Sequence, residues 1–330
     1  RAWWCHRASG LADRPWSEAA RLLADHGFTA VVANLMWGGV SYGRSALLPA
    51  GDAERDYIAE ALTACRAVGL ELHLWKVNYN CQWTAPEWFV EQMRAEGRLQ
   101  ADREGKEERW LCPSDPRNQQ LEIDSMVEAA RLYDLDGLHF DYIRFPDGDH
   151  CFCAGCRERF GALSGDALAD WPAAVDAGGR LRAAWLDWRR ECINRVVQGV
   201  HAGARAARPG MKISAAVFPV WTSARDSIGQ DAALWCERGW IDFVVPMDYT
   251  DSPLLFERYV RSQQGWAHGV PVRPGIGASA TGIRMTPEEV IEQIWITRRQ
   301  GTGGFCIFNF AVREATAIVP ALGAGVTKAE

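Results

Sequence analysis

Eight short apolar runs separated by amphipathic stretches recur along the 330 residues, and that alternation constrains the fold more than any other feature. Apolar runs of four to eight residues bounded by helical-period segments mark parallel strands joined by crossover helices. The predicted strands cover residues 2–5, 29–35, 71–77, 137–140, 212–217, 243–247, 272–276 and 304–308. Helices are predicted between them, among them 17–25, 53–68, 181–207, 254–266 and 287–300. Eight strand-helix units favour a closed (β/α)8 barrel over an open sheet, and such barrels take about 250 residues plus insertions. Two stretches exceed a simple crossover. One follows the third strand and contains predicted helices at 86–96 and 117–133; the other follows the fourth strand and runs from 147 to about 179. No Gly-, Ser- or Pro-rich linker divides the chain. Residues 1–330 therefore read as one α/β domain, a (β/α)8 TIM barrel with loop insertions after strands three and four.

Composition narrows the classes of function. Hydrophobic residues make up 48% and charged residues 24%, a globular balance rather than a disordered one. A net charge of −6 gives no electrostatic footprint for a nucleic-acid backbone, so no nucleic-acid partner is expected. No apolar run approaches the roughly 20 residues of a membrane span, and the first ten residues lack the basic-then-apolar design of a signal peptide. The Gly-rich PGIGAS at strand seven is not followed by a helix-opening phosphate loop, and no organic cofactor is expected.

In this fold, active sites are built from the C-terminal ends of the strands and the loops that follow. That rule keeps Asn34, Asn78, Asp141, Arg144, Asp248, Tyr249 and Asn309, and it discards Glu71, Asp136 and Asp242 at strand starts. Asp141, in LDGLHFDYIRFP, is the leading candidate. Glycosidic cleavage needs a carboxyl group to protonate the leaving oxygen or to attack the anomeric carbon. Asp248, in PMDYTD after strand six, is the predicted second acid, with Asp226, Asp231 and Asp251 as loop substitutes. Asn34, Trp37, Tyr42, Lys76, Asn78, Arg144, Tyr249 and Asn309 are predicted to hold substrate. His139 reads as a structural histidine in the barrel wall. Sixteen Trp is a high count, and Trp37, Trp75, Trp83, Trp110 and Trp221 sit near strand ends or in loops. Flat apolar faces carrying one N–H suit sugar rings, which points towards a carbohydrate partner.

The cysteines form a separate signal. Cys151, Cys153 and Cys156 lie within six residues of one another, and Cys112, in WLCPSDP, is the natural fourth member. Thiolates so close together suit tetrahedral zinc, and four protein ligands would make it structural because no position stays open for water. His150 is the fallback ligand. Disulfides are the alternative, although pairing Cys151 with Cys153 would close a strained ring. Cys65, Cys192, Cys236 and Cys306 read as core thiols, while a Cys5–Cys81 pair stays open.

Several segments, taken together and in order, resemble the glycoside-hydrolase-like family 10 group. They are NLMWGGVSYGRSALLP, HLWKVNYN, WLCPSDP, LDGLHFDYIRFP, GQDAALWCERGWIDFVVPMDYT and GGFCIFNF, which run through most of the chain. The resemblance implies a (β/α)8 barrel with its site around Asp141, a polysaccharide or glycan substrate, and export to the periplasm or cell exterior. DGLHFDYI and PMDY are also similar to motifs of chitinase-like hydrolases, but Ile143 stands where their acid Glu would be. The Cys-x-Cys-x₂-Cys cluster is similar to the zinc site of family 42 β-galactosidases, whose paired catalytic Glu residues have no evident match here. The expectation is thus an O-glycosyl hydrolase with Asp141 as acid or nucleophile and Asp248 as its partner. Its rivals are a non-catalytic glycan-binding barrel and a zinc-dependent carbohydrate hydrolase or deacetylase.

Overall fold

The computed structural model describes residues 1–328. The chain begins with β1 (Ala2–Cys5), α1 (Trp16–Asp25), β2 (Ala30–Trp37), the short β3 (Val40–Ser41), α2 (Tyr57–Ala67) and β4 (Glu71–Val77). The first insertion supplies α3 (Glu87–Ala95), β5 (Leu99–Ala101), β6 (Glu107–Leu111) and α4 (Pro116–Leu132) before β7 (Gly137–Asp141). The second supplies α5 (Ala154–Ser164) and leads into the long α6 (Arg182–Ala207). β8 (Lys212–Val217), α7 (Trp221–Ile228), α8 (Ala232–Glu237), β9 (Phe243–Pro246) and α9 (Pro253–Trp266) follow. β10 (Gly275–Gly277), α10 (Pro287–Arg299), β11 (Cys306–Phe308) and α11 (Val312–Gly323) complete the described chain.

Eight parallel strands pair in the order β10-β11-β1-β2-β4-β7-β8-β9. The remaining seam is drawn together by Val244 and the segment before β10. There the Val244 N–H donates to the Pro271 carbonyl at 3.0 Å, and the Arg273 N–H donates to the Val244 carbonyl at 2.8 Å. This is the predicted (β/α)8 barrel. The hydrophobic pattern explains which faces meet. Strand side chains alternate, so Trp4, Val32, Trp75, Val77, Ala216, Val245 and Cys306 fill the barrel interior. Their neighbours Trp3, Val31, Leu74, Phe140, Ile213, Val244 and Ile307 pack outward against the helices. Helix starts are fixed locally. Asp56 and Asp115 cap α2 and α4, and Thr286 with Glu289 makes a reciprocal capping box at α10.

Three features depart from the sequence reading. β10 begins at Gly275, three residues later than the apolar run suggests, because residues 272–274 contribute only the closing bridge. Residues 99–111 form the antiparallel hairpin β5–β6, whose charged sequence hides its strand character. Helix α7, absent from the sequence reading, buries Trp221, Ala224 and Ile228 at helical spacing over only eight residues.

Candidate active site at the mouth of the barrel

Inward-facing residues at the C-terminal ends of the strands surround a cavity of about 280 Å³. Its wall is aromatic: Trp4 on β1, Trp37 on β2, Trp75 on β4, Tyr249 after β9 and Phe308 on β11, with Trp83 from the first insertion at the rim. Tyr249 stacks on Phe308 with ring centroids 5.4 Å apart, and Trp4 meets both edge-on. Trp4 is fixed from below. Its Nε1–H donates to His139 Nε2 at 3.0 Å, and His139 Nδ1 lies 2.8 Å from Ser214 Oγ. Burial pushes the His139 pKa well below the usual imidazole value, so the ring is a neutral structural support.

Asp141 is the carboxylate on this wall among the described residues. Strand alternation puts it inside, in line with Gly137 and His139, and it is 5% exposed. The Tyr142 N–H donates to Oδ1 at 2.7 Å and the Trp75 Nε1–H donates to Oδ2 at 3.1 Å. Burial raises its pKa from 3.8 to about 6, against the opposing pull of the Tyr142 N–H, the Arg144 charge and the Trp75 N–H. Tyr142 takes a left-handed backbone conformation (φ 54°), a geometry uncommon for a non-glycine residue and concentrated at functional sites. Gly277 leaves the room that Tyr249 occupies, since a Cβ there would lie 2.9 Å from the tyrosine ring.

Several predicted site residues face elsewhere. Alternation along β9 sends Phe243 and Val245 inward, Tyr249 follows in the same phase, and Asp248 therefore points out of the barrel. Asp248 is fully buried behind the wall, where Gln263 Nε2–H of α9 donates to Oδ1 at 2.6 Å. Burial pushes its pKa well above the carboxylate range. Lys76 sits between inward Trp75 and Val77, so it too faces the helices and meets Glu122 at 2.8 Å and Ser125 at 2.6 Å. The Asn78 Nδ2–H donates to the same Glu122 at 2.7 Å. Arg144 is held by the Phe145 and Pro146 carbonyls, with its guanidinium over Tyr142, Phe218 and Trp110. Asn309 accepts the His6 backbone N–H at 3.2 Å, which anchors the mouth without lining it. Trp110 and Trp221 are core residues. Of the substitute acids, Asp226 pairs with Arg190, Asp231 caps α8, and Asp251 is exposed away from the cavity wall.

The remaining candidates do gather at the mouth. Tyr249 and Trp37 line the main cavity, while Asn34 and Tyr42 line a second pocket of similar size beside it. Sequence reasoning missed His6, whose ring stands edge-on to Trp37 and Trp75 at 5.8 and 5.5 Å. Its signal was present, because His6 directly follows β1 in the inward phase of Trp4. A larger cavity of about 480 Å³ opens at the opposite end, lined by strand-start residues such as Glu71, Lys212 and Asp242. Chemistry is not expected there.

Away from the mouth, the sulfurs of Cys112, Cys151, Cys153 and Cys156 lie within 4.8 Å of one another. Cys112 and Cys156 are 3.4 Å apart, and Cys112 and Cys153 are 3.8 Å apart. Arg159 approaches Cys112 with Nη2 at 3.6 Å, a donor suited to thiolate charge. The four can hold a metal ion, and they tie the first insertion to the second. Cys5 and Cys81 are both buried free thiols, so no disulfide joins them.

The model of the family described as glycosyl hydrolase-like 10 matches residues 41–296. The chain belongs to the glycosyl hydrolase-like 10 family. Glycosyl hydrolase YngK of Bacillus subtilis (strain 168) is 23% identical over 215 residues, which is 58% of this chain and 39% of that protein. The chain thus spans about two fifths of the curated relative it matches. Among solved structures, the PgaB (BpsB) glycoside hydrolase domain from Bordetella bronchiseptica superposes with a TM-score of 0.76 at 13% identity. That match covers 98% of this chain and 97% of the other. A β-galactosidase from the psychrophilic Marinomonas ef1 gives 0.74 at 10% identity, covering 99% and 58%. At such identities the two structures share the fold of this family member.

Proposed function

We propose that the protein hydrolyses O-glycosidic bonds of a polysaccharide or glycan, with Asp141 as the general acid. The observation that carries this reading is a buried carboxyl group, with a pKa near 6, on the floor of an aromatic cavity at the barrel mouth. Family membership supports the reaction class. A raised pKa keeps the proton available at near-neutral pH, as a general acid requires. In the reaction the Asp141 proton passes to the glycosidic oxygen as its bond to the anomeric carbon breaks. The attacking oxygen belongs to water or to a substituent of the sugar, because the described wall carries no second carboxylate. Trp4, Trp75, Tyr249 and Phe308 offer ring faces to the apolar side of the sugar.

The four-cysteine cluster is proposed to hold a structural zinc. Four sulfur donors at this spacing satisfy a tetrahedral ion and leave no position for substrate. A zinc-dependent hydrolase or deacetylase is correspondingly disfavoured.

The missing second carboxylate favours one competing reading, a glycan-binding barrel without turnover. The deciding experiment measures reducing ends released from bacterial, plant and algal polysaccharides by wild type and Asp141→Asn. Release by wild type that falls at least a hundredfold in the variant is expected. Equal release by both would remove Asp141 from the mechanism, and binding without release would favour the binding barrel.

A further inference from the structure

Beside the main cavity lies a second pocket of about 290 Å³, separated from it by the His6 and Trp37 rings that line both. Asn34 forms part of this second pocket. It lies in the C-terminal half of β2 in the inward phase of Val32, and a register irregularity between Asn34 and Met36 follows it. The side chain is 1% exposed, yet neither Nδ2 nor Oδ1 has a hydrogen-bond partner within the protein. Thr84 Oγ1, on the same pocket wall, also lacks one. Buried amides are nearly always paired, and one left with both ends unpaired carries the desolvation cost of both orphaned groups. A ligand that supplies both partners recovers that cost.

Resting on the hydrolase reading above, we infer that this pocket is a second sugar subsite, which takes a neutral pyranose through vicinal hydroxyls. A carboxamide presents a donor and an acceptor side by side, and two adjacent hydroxyls match it, one accepting and one donating. Thr84 Oγ1 meets a further hydroxyl, and the Trp37 face covers the ring. No carboxylate lines the pocket, and its one cation of fixed charge is the exposed Arg7. An amino sugar therefore finds no counter-ion there. Because His6 and Trp37 border both cavities, the substrate is at least a disaccharide whose neighbouring units occupy the two sites.

The test uses the full chain carrying Asp141→Asn, so that ligands survive, with and without Asn34→Leu. Isothermal titration follows gluco-, galacto- and manno-configured oligosaccharides of one to four units. The parent is expected to gain affinity on going from one unit to two or more in at least one series. Asn34→Leu should weaken that longer ligand about tenfold, the size of two modest hydrogen bonds. Its melting temperature should equal or exceed the parent's, since the change removes an unpaired amide at nearly constant volume. Asn34→Ala provides the same binding comparison if the leucine does not fit. Unchanged affinity in a folded Asn34 variant, or no binding by the parent in any series, would overturn the subsite. If the Asn34 effect appears while wild type releases no reducing ends, the subsite stands and the catalytic reading falls.

Discussion

Carrying Asp141 from water to the cavity floor penalises its charged form, and that single effect has consequences for both reaction and stability. As general acid, Asp141 must be protonated, so turnover is expected to decline as pH rises through about 6. A nucleophilic role would instead make turnover fall as pH drops through that value, and a pH–rate profile separates the two. The stability effect has a definite sign. A carboxyl whose folded pKa exceeds its unfolded value of 3.8 contributes no penalty below pH 4. It becomes destabilising as pH rises from there to about 6. Asp141→Asn should therefore be more stable than wild type at pH 7 by up to about 3 kcal/mol, with the gap closing towards pH 4. Urea unfolding across that range reads it directly, and a pH-independent difference would refute the shifted ionisation.

At the scale of elements, the barrel wall separates residues that are neighbours in sequence. Lys76 and Glu122 join β4 to α4 with both side chains fully buried. Glu122 also accepts from Asn78 Nδ2 and from the Tyr79 N–H. Removing one partner leaves a charge without compensation, so Glu122→Ala is expected to cost about 3–5 kcal/mol, measured by denaturant unfolding. Asp248 is attached to α9 in a similar manner. Asp248→Asn keeps an oxygen for Gln263 and should leave turnover close to wild type, because the carboxyl group faces α9 and does not line the cavity. A loss as deep as that of Asp141→Asn would restore Asp248 to the mechanism. Close approach also constrains β10, where a methyl group at Gly277 would meet the Tyr249 ring.

Across the whole molecule, the two insertions depend on each other through the cysteine cluster. Cys112 follows the β5–β6 hairpin, and the other three lie before and within the first turn of α5. Metal analysis by mass spectrometry should find one zinc per chain, lost in Cys112→Ser. Chelation should raise hydrogen exchange first in residues 99–115 and 147–179, while the barrel strands stay protected. Uniform loosening of strands and insertions together would indicate that the cluster does not act as a local clamp.

The sequence by itself determined the barrel, because eight apolar runs between amphipathic helices leave few other ways to bury both faces of each strand. It also showed that Asp141 ends an inward-facing strand and that cysteines are dense over a few residues of one loop. What it left undetermined was the facing of polar residues at irregular strand ends. Asp248 follows the same strand-end rule as Asp141, and Lys76 lies one residue before the end of β4, yet strand alternation turns both towards the helices, where Ser125, Glu122 and Gln263 meet them. His6 and the pairing of the two pockets were equally hidden, since both depend on rings from different strands meeting at the mouth. Side-chain period is a local property that a sequence displays. Which strand ends converge, and which buried amide is left without a partner, is settled only when the barrel closes.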